Sequence, residues 1–88
     1  DMNVQHILQL GNGHSIELGE ATWDNNARSV RSRYKTSTGG FSPRSSPETP
    51  IYDLVPMLQL VAKHDELSPV ECAEIIAVLA ESIKRQCT

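Results

Sequence analysis

The chain predicts an α+β fold: an N-terminal β-hairpin, one helix, a long basic loop, and a C-terminal antiparallel helix pair packed on the hairpin. Three observations carry that expectation. Val4, His6, Leu8 and Leu10 alternate with Gln5, Ile7 and Gln9, the period-two pattern of a half-buried strand. Ser68-Pro69-Val70-Glu71 has the form of a capping box at a helix start. Between them, Gly39-Gly40, Pro43 and Pro47, with serines and threonines around them, deny regular structure.

Residues 3–18 form the hairpin. A three-residue Gly11-Asn12-Gly13 loop pairs Leu10 with His14, Leu8 with Ile16 and His6 with Leu18. A two-residue Asn12-Gly13 turn would instead set Leu10 against Ser15 and Leu8 against Glu17. Register follows the buried face, so the longer loop is expected. Two strands alone are not stable in water, so the hairpin needs a helix or another copy against it, and its edges offer sheet extension.

From Thr22 the period changes. Trp23, Ala27, Val30 and Tyr34 make a helical stripe, and residues 22–35 are read as helix, capped by Thr22 or Asp24. Asn25, Asn26, Ser29 and Ser32 are indifferent helix formers, and a strand over 28–35 is the alternative. Residues 36–49 form the loop. Phe41, the one phenylalanine, either pins it to the core or anchors a partner.

The C-terminal helices cover 53–65 and 69–86. In the second, Ser68 caps, Pro69 fills the first helical position, and Cys72, Ile75, Ile76, Leu79, Ala80 and Ile83 form one apolar stripe. Glu71 and Glu74 near its start and Lys84 and Arg85 near its end suit the helix dipole. The first helix, with Asp53 as N-cap and Pro56 in the first turn, is apolar on two faces. One holds Ile51, Leu54, Val55, Leu58 and Ala62; the other holds Met57, Leu60, Val61 and His64. The bland reading of the second face is that the hairpin covers it. The sharper one makes Met57, Leu60, Val61 and His64, with Phe41, a partner-binding surface.

Eighty-eight residues make one small domain, 1–88, of marginal stability unless it oligomerises. Asp1 precedes Met2, which is expected as the natural start of a complete short reading frame. Nothing reads as a signal peptide or membrane span, and a cytoplasmic setting is expected. Cys72 and Cys87 lie about 22 Å apart along one helix, too far for a disulfide, so both are expected reduced.

The net charge of −3 argues against an electrostatic nucleic-acid binder as a whole. Yet Arg28, Arg31, Arg33, Lys35 and Arg44 cluster in a segment without acids, with Tyr34 and Phe41 among them to stack on bases. The cluster is read first as a solvated face, then as a contact for acidic protein, then as a phosphate or nucleic-acid contact. No metal, cofactor, small-molecule substrate or catalytic motif is expected. His6 and His14 stand about 13 Å apart by strand rise, and no nucleophile elbow or phosphate loop is present. The leading expectation is a small non-enzymatic regulator or adaptor that binds protein and self-associates. A nucleic-acid-binding regulator using residues 28–44 is the runner-up.

Overall fold

The computed structural model describes residues 1–42 and 46–88. It is α+β, with a four-stranded antiparallel sheet and two helices. Two compact units divide the chain, Asp1–Val55 and Pro56–Thr88, and each is described by itself.

The first unit is a meander. β1 (Asn3–Gly11), β2 (His14–Ala21), β3 (Asp24–Tyr34) and the short β4 (Thr49–Pro50) follow one another in sheet order. Leu8 faces Ile16 and His6 faces Leu18, the expected pairing, although the face they share is not the buried one. The turn differs from expectation. Gly11 pairs with His14, leaving a two-residue Asn12-Gly13 turn in which both residues have positive φ, 53° and 74°. That is the hairpin turn whose twist matches the strands. A register shift between Gln9 and Gly11 absorbs the extra residue, so Leu10 does not face His14.

Residues 22–35 are not a helix. Thr22 and Trp23 form the turn between β2 and β3, and Asp24–Tyr34 is the longest strand. The physical reason lies across the sheet. Ser29 and Arg31 are buried while Arg28, Ser32 and Tyr34 are not, a period of two that β2 reads off residue by residue. The stripe from Trp23 to Tyr34 is thus coincidental, and Trp23 stands half-exposed at the turn. With poor helix formers throughout, local propensity yields to strand pairing.

The long connection is only partly irregular. Thr36 and Gly40 close a turn through Thr36 N–H to Gly40 O (2.8 Å) and Gly39 N–H to Thr36 O (2.9 Å). Phe41 makes an isolated bridge to Lys35, and Thr49–Pro50 pairs with Ser29 and Val30. Gly19 marks a close approach: a β-carbon there would lie 2.0 Å from the Asn3 carbonyl oxygen.

The helices are α1 (Ile51–Lys63) and α2 (Pro69–Gln86). α1 begins two residues before the expected Asp53 cap, which moves Asp53 into the first turn and Pro56 to the helix interior. The Tyr52 carbonyl therefore lacks its helical donor. α2 has the expected bounds and both arms of the capping box: Glu71 N–H donates to Ser68 Oγ (3.1 Å) and Ser68 N–H donates to Glu71 Oε1 (2.9 Å). Among the described residues, the buried apolar side chains are Met2 and Ala21, and neither helix contains a buried residue. No helix among them is long and apolar enough to cross a membrane.

Candidate interaction surfaces

Strand alternation gives the sheet two chemically different faces. On one, Ser15, Glu17, Gly19 and Ala21 of β2 are buried, opposite Arg33, Arg31 and Ser29 of β3. On the other lie His6 and Leu8 of β1, Ile16 and Leu18 of β2, and Val30 of β3. The buried face is therefore the polar one.

Its centre is Glu17, 2% exposed. Arg31 Nε donates to Glu17 Oε1 at 2.7 Å, and Arg33 Nη1 donates to Oε2 at 3.2 Å. Phe41 lies on both cations, its ring centre 4.6 Å from the Arg31 guanidinium carbon and 4.3 Å from that of Arg33. One carboxylate and one aromatic ring thus hold two arginines that are two residues apart on one strand face. Phe41 here pins the loop to the sheet and is half-buried.

Glu48 is a second hub. It accepts from the Thr22 hydroxyl, from Thr22 N–H (3.0 Å) and from Ser29 Oγ (2.8 Å). Burial alone would raise its pKa. The Thr22 and Ser29 hydrogen bonds and the Arg31 charge outweigh burial and hold the carboxyl below its ordinary value.

Beside the Glu17 cluster is a cleft of about 190 Å³, lined in part by Gln9, Ser15, Arg33, Lys35 and Gly40. Of the basic residues expected from sequence, the sheet brings Arg31, Arg33 and Lys35 to one strand face. Arg28 donates instead to the Gln5 side chain, and Arg44 lies outside the described residues. His14 stacks on Tyr34 with ring centres 4.2 Å apart and hydrogen-bonds Ser32 Oγ at 2.6 Å. Tyr34 is thus engaged with His14 on the face away from Phe41. Among the described residues no group of three potential ligands is placed to hold a metal ion.

In the second unit an apolar groove of about 210 Å³ runs between the helices, lined by Leu58, Ala62, Leu67, Cys72, Ile75 and Leu79 together with Ile76. Cys72 and Cys87 are free thiols. Of the expected partner stripe, Met57, Leu60 and Val61 are exposed along α1 and His64 is exposed in the turn just beyond its end, and none of the four lines the groove. Ile76, Leu79 and Ile83 form a matching exposed ridge on α2.

Glu17 and Glu48 were not singled out by sequence. Their partners come from 14 to 26 residues away, so no local spacing shows them. The signal for Glu17 was its place in alternation with Ser15 and Gly19, a polar side within an apolar-looking strand. No known family model, curated protein or solved structure matches the chain.

Proposed function

We propose that this is a small non-enzymatic regulatory or adaptor protein that works by protein–protein contact and self-associates through its helix pair. The observation that carries the reading is that α1 and α2 hold no buried residue while their apolar side chains line a continuous groove and ridge. Exposed apolar surface of that kind marks an interaction face. A second copy is the occupant that fits. Two α2 helices laid antiparallel set Ile76 against Ile83 of the second copy and Glu74 beside its Arg85. They also oppose their dipoles. The stripe of Met57, Leu60, Val61 and His64 lies off the groove and stays available to a further protein, as an adaptor requires.

Light scattering of the full chain tests this. Dimers at micromolar concentration are expected, and Ile76→Glu with Ile83→Glu should weaken the association at least tenfold with helix content unchanged. Association indifferent to both substitutions overturns the reading. Packing of the helix pair on its own hairpin, the sequence expectation, is the competing way to bury the same side chains and predicts a monomer.

A nucleic-acid-binding regulator is the second reading. It is favoured by the one-face placement of Arg31, Arg33 and Lys35, but Arg31 is committed to Glu17 and Arg28 to Gln5. A low-salt titration against mixed-sequence DNA and RNA, repeated with Arg33→Glu, decides it; no binding removes the reading.

A further inference from the structure

β1 is an outermost strand of the sheet, so one whole side of its backbone has no strand partner among the described residues. Its nine residues, Asn-Val-Gln-His-Ile-Leu-Gln-Leu-Gly, contain no aspartate, glutamate, lysine, arginine or proline. Ile7 and Leu8 point to opposite faces of the sheet and are still 54% and 61% exposed. Natural sheets guard such edges with charges, prolines or very short strands. The opposite edge of this sheet is guarded in that way: β4 is two residues long and ends in Pro50, and β3 beside it carries Arg28, Arg31 and Arg33. The contrast between the two edges is the observation to be explained.

We propose that β1 is a self-pairing edge, adding antiparallel to β1 of a second copy about a two-fold axis normal to the sheet. This surface belongs to the first unit and does not rest on the helix-pair reading. The symmetry limits the register. Such an axis keeps each face of the sheet on the same side, so facing residues must share a face and the centre falls on a residue. Register shifts between Val4 and His6 and between Gln9 and Gly11 leave His6–Gln9 as the regular stretch. The centre is therefore Ile7 or Leu8. An Ile7 centre sets Ile7 against its symmetry mate and His6 against Leu8. A Leu8 centre sets Leu8 against its mate and Ile7 against Gln9.

A second copy is the partner that the strand's chemistry selects. Self-pairing brings no like charges together, because the strand has none. It also matches the required alternation without a further sequence, since His6 and Leu8 meet residues of their own face. The face carrying Leu8, Ile16, Leu18 and Val30 then runs unbroken from one copy into the other.

Site-directed cross-linking of the full chain tests the proposal. In a Cys72→Ser, Cys87→Ser background, Ile7→Cys and Leu8→Cys are oxidised separately. Directly facing α-carbons in antiparallel strands lie about 4.5–5.5 Å apart, within disulfide reach. One of the two variants should form a covalent dimer rapidly, and Leu8→Lys, without any cysteine and with Ile76→Glu and Ile83→Glu present to remove the helix contact, should weaken the remaining association at least tenfold with unchanged circular dichroism. Cross-linking that persists when Ile76→Glu and Ile83→Glu are added assigns the contact to β1 and not to the helices. Slow, equal cross-linking of both cysteines, or association indifferent to Leu8→Lys, overturns the proposal. So does protection of β1 amides only when a different protein is bound.

Discussion

Glu17 shows how one side chain can decide a whole face. Its carboxylate is almost fully buried and is the partner of both Arg31 and Arg33. Removing one member of a buried ion pair leaves the other charge desolvated and unpaired. Glu17→Ala should therefore lower unfolding stability by about 3 kcal/mol in urea titration, with Arg31 the residue left uncompensated. Replacing Glu17 and Arg31 together by leucine and methionine should recover most of the loss, because both charges are then gone. Glu48 makes a separate statement about acid. Its folded pKa is lowered, so its contribution is present above the unfolded value and is lost as the pH falls through the folded one. Stability should thus decline on acidification below the ordinary glutamate value of about 4.3, and Glu48→Gln should flatten that limb. Thermal melts of both proteins from neutral pH downward provide the check.

Among the elements, those with purely local instructions were legible. The Ser68–Glu71 box and the stripe from Cys72 to Ile83 specify α2 without reference to the rest of the chain. The hairpin pairing of His6 with Leu18 and Leu8 with Ile16 follows from one face being apolar. β3 was legible only as the alternative reading, a strand over 28–35, for the opposite reason. Its inward residues are Ser29, Arg31 and Arg33, which look like solvent-facing residues until β2 supplies Glu17 and the loop supplies Phe41 and Glu48. Hydrophobic periodicity cannot report a strand whose buried side is polar. The same blindness hid the candidate surfaces, because Arg31 read as a free cation when it is half of a buried pair. Gly19 offers a test at this scale. Alanine there would drive a β-carbon into the Asn3 carbonyl, and backbone cannot move aside as a flexible side chain can. Gly19→Ala should cost about 2 kcal/mol and speed hydrogen exchange at the Asn3 end of β1, measured amide by amide.

At the scale of the whole molecule, fold class was legible because it needs only one strand pattern, one helix pattern and a break between them. Function was not, because no family motif was read in the chain and the proposed surfaces are defined by what leaves them uncovered. Small domains bury a modest share of their surface, and this one buries few apolar side chains. Its stability should accordingly be linked to the concentration of its own copies. The proline-ended β4 gives that linkage a limit. A strand as apolar and uncharged as β1 would, with two open sides to its sheet, recruit copy after copy into a fibre. Pro50 lacks the amide donor that a further strand would need, and β4 is too short to template one. Joining two sheets along β1 therefore occupies the long uncharged sheet edge of each copy. Sheet extension thus stops at two copies, and crowding the solution should yield no cross-β filament.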